Sequence, residues 1–177
     1  MEIVEEKTLS SEMLYRGVIL NLRKDKVTVR DGRASYREIV EHSGGVVILG
    51  VTPEGKIPMV RQYRKAANAV VLELPAGKLE KGEDPAEAAL REYREETGYT
   101  AESVRHVAEF FPTVGYSEEV LHVFFAEGLT AGDTDFDENE AIETEEYMPE
   151  TLFEMIDEGK LNDGKTLIAL LLYRNTA

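Results

Sequence analysis

The chain has 177 residues, a formal net charge of −15 and no cysteine. This length suits one domain, or one domain with a small extra element. The lack of cysteine excludes disulfides, thiolate zinc sites and a cysteine nucleophile, and the negative charge argues against a protein that grips nucleic acid by its phosphates.

The N-terminal residues carry no targeting signal that we recognise. The first 13 residues lack the basic and apolar regions of a signal peptide, and no apolar run reaches the roughly 18 residues that a membrane helix needs. We therefore expect a cytoplasmic protein that binds neither membrane nor nucleic acid.

The front of the chain is predicted to be a small antiparallel β element. Residues 19–30 show short apolar alternation and end at Asp31-Gly32, a hairpin turn signal. Residues 35–41 are the predicted returning strand. We accordingly divide the chain into an N-terminal β element, residues 1–42, and a main domain, residues 43–177.

The main domain is predicted to mix strands and helices. Residues 45–51, GVVILGV, form a continuous apolar run that is typical of a buried strand. Helices are expected at 85–97, 150–158 and 163–174. Further strands are expected at 57–63, 69–74, 105–111, 120–127 and 143–148. Because strands lead, one helix follows and strands return before two closing helices, this order favours a mixed α/β sandwich over alternating βαβ units.

The central helix has clear boundary signals. Asp84 is a good N-cap, Pro85 suits the first helical position, and Gly98 can take the left-handed conformation that ends a helix. The face expected to pack on a sheet consists of Ala86, Ala89, Leu90, Tyr93 and Thr97.

Three glutamates are crowded on a neighbouring face of this helix. Glu92, Glu95 and Glu96 are spaced i, i+3 and i+4, so that their like charges lie close together. A hard divalent cation such as Mg²⁺ relieves this repulsion and suits phosphate chemistry. The alternative is an ordinary solvated helix with an i, i+4 ion pair between Arg91 and Glu95.

The wider motif carries a family resemblance. Gly77, five residues, Glu83, seven residues and then REYREETGY at 91–99 resemble the Nudix box, G-x5-E-x7-R-E-U-x-E-E-x-G-U, of the Nudix hydrolases. Every fixed position is matched. Tyr93 replaces the usual aliphatic residue at the first U, and its hydroxyl needs a partner or an exit to solvent.

The resemblance implies a fold, a cofactor and a set of ligands. It implies an α/β/α sandwich around a mixed sheet and Mg²⁺-dependent hydrolysis of a nucleoside diphosphate linked to another group, with Mn²⁺ as a substitute. Its metal-ligand roles fall on Glu92, Glu95, Glu96 and the carbonyl of Ala76. Glu83 and Arg91 resemble supporting residues that orient the loop and helix.

The flanking segments resemble the ADP-ribose pyrophosphatase subfamily. These segments are YREIVEH at 36–42, VRQYR at 60–64 and ELPAG at 73–77. The resemblance implies hydrolysis of ADP-ribose to AMP and ribose 5-phosphate, with Arg37, Arg64 and Glu73 contacting the substrate. Val114 replaces the subfamily's marker proline, so other nucleoside diphosphate sugars or dinucleotides remain alternatives. An ADP-ribose-sensing regulatory module is a further alternative, disfavoured by the complete box.

The resemblance also suggests a general base and an oligomer. In this family a glutamate after the box often supplies the base, and Glu140 is the first candidate, Glu119 the second and Glu143 the third, with Glu95 sharing the metal site. The acidic run that contains Glu140 is otherwise a solvated loop.

Similar enzymes exchange the N-terminal element across a two-fold axis, which implies a homodimer. The three histidines are predicted to be structural.

Overall fold

A computed structural model describes residues 3–132 and 142–176 of the chain. The chain divides into two compact units. The first contains residues 1–44 and 111–120, and the second contains residues 45–110 and 121–177.

The first unit is built on a three-stranded antiparallel sheet. Its strands are β1 (Lys7–Arg16), β2 (Asn21–Thr28) and β3 (Ala34–Glu41), in the order β1-β2-β3. The predicted antiparallel character is confirmed, but β1 was not foreseen. Nearly all of β1 is exposed, so no buried face imposes the alternation by which strands are recognised in a sequence.

The segment 111–120 is fastened to β3. The Val40 N–H donates to the Tyr116 carbonyl at 2.7 Å, and the Glu118 N–H donates to the Val40 carbonyl at 3.1 Å. Arg23 adds an ionic link, because its Nη1 lies 2.8 Å from Glu41 and 3.0 Å from the Glu118 carboxylate. The first unit therefore joins two stretches that are far apart in sequence.

The second unit contains one mixed sheet and two antiparallel ones. The strands are β4 (Gly45–Gly50), β5 (Ile57–Arg64), β6 (Ala69–Glu73), β7 (Ala76–Lys78), β8 (Tyr99–Thr100), β9 (Ser103–Phe110), β10 (Leu121–Glu127), β11 (Thr130–Ala131) and β12 (Ile142–Tyr147). The order is β7-β4-β10-β9 in the mixed sheet, and β12-β5-β6 and β11-β8 in the antiparallel ones. Among the described strands, only the β4–β10 pairing is parallel.

The helices of this unit are α1 (Pro85–Thr97), α2 (Pro149–Asp157) and α3 (Gly164–Arg174). The predicted limits of α1 are confirmed. Asp84 accepts from the N–H groups of Ala86 and Glu87, and Gly98, at φ 76°, donates to the Arg94 carbonyl. Within the described residues, no helix is both long and apolar enough to cross a membrane.

The mixed sheet separates two apolar clusters. Alternate residues of a strand point to opposite faces. On one face Val46 and Ile48 of β4 pack with Ala88, Ala89 and Tyr93 of α1. On the other face Val47 and Leu49 pack with side chains of α2 and α3, namely Leu152, Ala169 and Leu170. The predicted α/β/α sandwich is confirmed.

The buried face of α1 differs in part from the predicted one. Ala88 is fully buried, whereas Ala86 and Leu90 are only half-buried. The buried face also contains Glu96. The hydrophobicity of Leu90 predicted a core position for it. In the structure, the buried face of α1 instead includes the side chain of Glu96.

Tyr93 is fully buried, so its hydroxyl has no exit to solvent. Among the described residues it finds no hydrogen-bond partner. Burial raises its pKa above the ordinary tyrosine value. Gly50 makes room for it, since a Cβ at that position would lie 2.5 Å from the Tyr93 hydroxyl oxygen.

Candidate functional site

Arg91 donates hydrogen bonds to three carboxylates at the candidate site. Its Nη1 donates to Glu92 at 2.8 Å and to Glu95 at 3.2 Å, and its Nε and Nη2 donate to the two oxygens of Glu83 at 3.0 and 3.2 Å. The predicted pair between Arg91 and Glu95 is confirmed. A single guanidinium thus faces several negative charges, which leaves an excess of negative charge on this face of α1.

Glu83 joins the preceding loop to the helix. Besides Arg91, it accepts from the Glu80 N–H at 2.8 Å. The hydrogen bonds from Arg91, followed by the one from Glu80, lower the pKa of Glu83 below its usual value. Glu83 is therefore charged at neutral pH and holds the Arg91 guanidinium through both of its carboxylate oxygens.

Glu92 lies directly against the backbone of Gly77. A Cβ on Gly77 would be 1.9 Å from the carboxyl carbon of Glu92. Any side chain at that position would therefore displace the carboxylate. This close approach is the physical reason for glycine at the first position of the motif.

Glu96 fastens α1 to the two neighbouring sheets. Its side chain accepts from the Ala76 N–H at 3.0 Å, and its backbone carbonyl accepts from the Thr144 hydroxyl of β12 at 2.9 Å. The residue is only 7% exposed. A carboxylate held this firmly is preorganised for binding a ligand or ion.

The residues predicted to bind metal are brought close to one another. Arg91 bridges Glu92 and Glu95, while Glu92 and Glu96 reach Gly77 and Ala76 on the same short strand. Carboxylate oxygens in this arrangement fit a hard divalent cation. The observed contact of Ala76 is through its N–H, whereas the predicted ligand is its carbonyl oxygen.

A second charged group lies at the ends of β5 and β6. Arg64 Nε and Nη2 donate to the two oxygens of Glu73 at 2.7 and 2.8 Å. Lys165 also contacts Glu73, and it lies 2.9 Å from Asp163. The side chain of Glu73 is 1% exposed, and its charge is compensated by the largely buried Lys165 and by Arg64, which is partly open to solvent.

The pKa shifts agree with this arrangement. Burial alone would raise the pKa of Glu73, but Arg64 and Lys165 outweigh it and lower the pKa below the usual value. The hydrogen bonds to Glu73 raise the pKa of Arg64, and the charge of Glu96 contributes in the same direction. Arg64 and Glu73 are therefore both charged at neutral pH.

Lys165 was missed by sequence reasoning. It lies in the first turn of α3, where Asp163 caps the helix by accepting from the Thr166 N–H at 3.1 Å. Its partner Glu73 is 92 residues away. No local pattern could have indicated that contact.

Two other predicted site residues, Arg37 and Glu119, belong to the first unit. Arg37 Nε donates to Glu6 at 2.9 Å, and Nη1 donates to the Tyr36 carbonyl at 2.8 Å. The Glu119 carboxylate lies 3.5 Å from His42 Nδ1.

The first candidate for the general base, Glu140, lies outside the described residues. Glu143, the third candidate, is an exposed residue of β12. The choice among the base candidates stays a prediction.

Two family models match the chain. The NUDIX domain model matches residues 41–170, and the model of the nucleoside diphosphate sugar hydrolase N-terminal domain matches residues 6–40. The two matches adjoin at residues 40 and 41.

Similar proteins extend over nearly the full chain. It is 42% identical over 172 residues to the ADP-ribose pyrophosphatase of Bacillus subtilis (strain 168), covering 96% of this chain and 93% of that protein. It is 40% identical over 171 residues to the methanol dehydrogenase activator of Bacillus methanolicus, covering 96% and 92%. A crystal structure of an ADP compounds hydrolase superposes with a TM-score of 0.86 at 19% identity, covering 99% and 95%, and supports the fold.

Proposed function

The chain belongs to the Nudix hydrolase family, and on this premise we propose that it hydrolyses ADP-ribose to AMP and ribose 5-phosphate. The observation that carries the proposal is the carboxylate cluster of α1, in which Glu92 lies against Gly77 and Glu96 accepts from the Ala76 N–H, together with the Arg64 guanidinium in the same unit. This combination offers negative charge for a divalent ion and positive charge for a diphosphate in one unit.

We assign the cation site to Glu92, Glu95, Glu96 and Ala76, with Mg²⁺ as the ion and Mn²⁺ as a substitute. When bound there, such an ion neutralises phosphate charge and lowers the pKa of a coordinated water. The chain's own contribution is to hold the carboxylates in place, through Arg91 for Glu92 and Glu95 and through the Ala76 N–H for Glu96.

Arg64 is the proposed diphosphate contact of this unit. Glu73 occupies its Nε and Nη2, and its Nη1 makes no hydrogen bond with another described residue. The side chain is 42% exposed. A guanidinium fixed along one edge and open along the other can donate to a phosphate oxygen with little loss of side-chain entropy.

Glu73 is better suited to positioning Arg64 than to binding the ribose or base itself. Both of its oxygens already accept hydrogen bonds from Arg64 and Lys165. Arg37 stays a predicted substrate contact, while Glu140 and Glu119 stay the first two candidates for the general base.

The proposed substrate has an alternative. Val114 is 74% exposed in the segment where the subfamily carries its marker proline. Because Val114 replaces that proline, hydrolysis of other nucleoside diphosphate sugars or dinucleotides is the alternative. The regulatory sensor is a further alternative, which the complete Nudix box disfavours. A cytoplasmic location also stays a prediction.

A substrate panel tests the proposal. Purified protein with Mg²⁺ is assayed against ADP-ribose, ADP-glucose, UDP-glucose, diadenosine polyphosphates, NADH and nucleoside triphosphates, by measuring kcat/KM for each. We expect ADP-ribose to be among the best substrates and AMP to appear in equal amount with ribose 5-phosphate. Efficient turnover of another compound with little turnover of ADP-ribose would transfer the assignment to the alternative.

We further propose that the protein is a homodimer with exchanged N-terminal β elements. The first unit exposes large apolar side chains that a monomer would leave in water, and contiguous exposed apolar surface marks interaction sites. Their exposure ranges from 46% to 97%: Leu9, Leu14, Tyr15, Val18, Ile19 and Tyr36.

Light scattering coupled to size-exclusion chromatography measures this directly. The chain mass is 19.8 kDa, so a dimer should elute with twice that mass over a range of protein concentrations. Replacement of Leu14 by glutamate should shift the population toward monomer, whereas Val114→Glu, at an exposed site outside the β element, serves as the control. A wild-type protein of monomer mass at every concentration would refute the dimer.

A further inference from the structure

Two histidines and a glutamate meet on one side of the β9–β10 ribbon. His122 is paired with Glu109 across the antiparallel ladder, and His106 is paired with Phe124 on the same strands. A register shift lies between Val123 and Phe124. This irregularity accompanies the approach of His106 to His122, whose ring centroids are 5.7 Å apart.

The three side chains have the spacing of metal ligands. One ligand atom from each lies within 4.8 Å of the others. His122 Nδ1 is 3.6 Å from the Glu109 carboxylate. In a tetrahedral zinc site with bonds of about 2.0–2.1 Å, neighbouring ligand atoms are roughly 3.3 Å apart. The His122–Glu109 pair is close to that spacing, and the ligand atom of His106 lies within 4.8 Å of both.

The neighbouring packing restrains both imidazoles. The side chain of His122 is 20% exposed. The ring of His106 contacts the edge of Phe124, with centroids 5.2 Å apart. Glu109 is 65% exposed and free to swing toward an ion. Two oriented imidazoles and one adaptable carboxylate match the chemistry that Zn²⁺ prefers, and differ from the oxygen-only ligands of Mg²⁺.

This cluster has a ligand set separate from the α1 carboxylates. His122 is paired with Val46, and Val46 is paired with Gly77, against which Glu92 lies. Because strands are about 4.8 Å apart, two strand spacings place the backbones of His122 and Gly77 about 10 Å from each other. The two groups share no residue, and β4 lies between the strands that carry Gly77 and His122.

We propose that His106, Glu109 and His122 form a second cation site that takes Zn²⁺ or a similar transition-metal dication. Three protein ligands leave one position of a tetrahedral site for water. The site does not depend on the substrate of the α1 centre. It also departs from the prediction that these histidines are purely structural.

Calorimetric titration of metal-free protein with Zn²⁺ in excess Mg²⁺ tests the site. The excess Mg²⁺ competes at the α1 carboxylates, so the remaining Zn²⁺ binding reports on the histidine cluster. We expect wild type to bind one Zn²⁺ per chain. The double variant His106→Gln/His122→Gln should bind it at least about tenfold more weakly, because both nitrogen ligands are lost.

Matched variants identify the site. His42→Gln removes a histidine from the first unit and should bind Zn²⁺ as wild type does. If the double variant unfolds, the single variants His106→Gln and Glu109→Gln replace it, since both side chains are exposed. With Co²⁺ as the probe, the same variants should lose the visible absorption of a nitrogen-bound ion. Unchanged Zn²⁺ affinity and stoichiometry in every cluster variant would mean an adventitious ion only and would overturn the proposal.

Discussion

Replacing Glu96 with glutamine should lower kcat for ADP-ribose by about 100-fold or more. A divalent ion supplies several kcal/mol of charge stabilisation, and each 1.4 kcal/mol corresponds to a factor of ten in rate. Glutamine preserves the size of the side chain and can still accept from the Ala76 N–H, a bond of 3.0 Å in the native protein. The loss should therefore arise from charge and not from unfolding.

The measurement is steady-state kinetics over a range of Mg²⁺ concentrations, together with the unfolding temperature. The variant should also need more Mg²⁺ for half-maximal activity. Glu87→Gln is the matched control, because it makes the same change on an exposed part of α1. A Glu96→Gln enzyme within about threefold of wild type would remove Glu96 from the cation site, since a lost hard-ion ligand costs far more.

Replacing Glu73 with alanine should lower the free energy of unfolding by about 3 kcal/mol. Removal of one partner from a buried ionic group leaves the other charges without compensation, at a cost of about 3–5 kcal/mol. Arg64 retains contact with water and Lys165 retains its ion pair with Asp163, so we expect the lower end of that range. For a chain of this size, this corresponds to a fall of roughly 6–12 °C in unfolding temperature.

A neighbouring pair on β5 provides the control for urea unfolding. Arg61 lies 2.7 Å from Glu145, but both side chains are at least 35% exposed. Exposed pairs contribute about 0–1 kcal/mol, so Glu145→Ala should have little effect. Equal effects of Glu73→Ala and Glu145→Ala would show that the buried network contributes no more to stability than an exposed ion pair.

The contribution of Glu73 should also depend on pH. Its pKa is lower in the folded protein than in the unfolded chain, where glutamate titrates near 4.3. The stabilisation is therefore fully present above that value and is lost as the pH falls through the folded pKa. The difference in unfolding free energy between wild type and Glu73→Gln should consequently shrink in acid.

The Glu73→Gln variant should also raise KM for ADP-ribose, because Arg64 loses its orientation.

The carboxylate cluster of α1, which we propose binds the cation, was largely predictable because its parts are local. The carboxylates of α1 are fixed by helical spacing, and the caps at Asp84 and Gly98 define where that helix begins and ends. Gly77 could be read from the motif, although only the fold shows Glu92 lying against its backbone. The alternating contacts of β4 likewise follow from the period of a strand.

The remaining features arise from contacts between distant parts of the chain. Lys165 reaches Glu73 across 92 residues, and β1 forms by pairing with β2 rather than by burying an apolar face. The His106–Glu109–His122 cluster exists only because β9 and β10 pair in one register. The sequence by itself determined the helix, its carboxylates and the family, because these depend on short-range spacing. The tertiary structure decided which charges meet, because strand pairing and helix packing bring together residues whose separation along the chain carries no periodic signal.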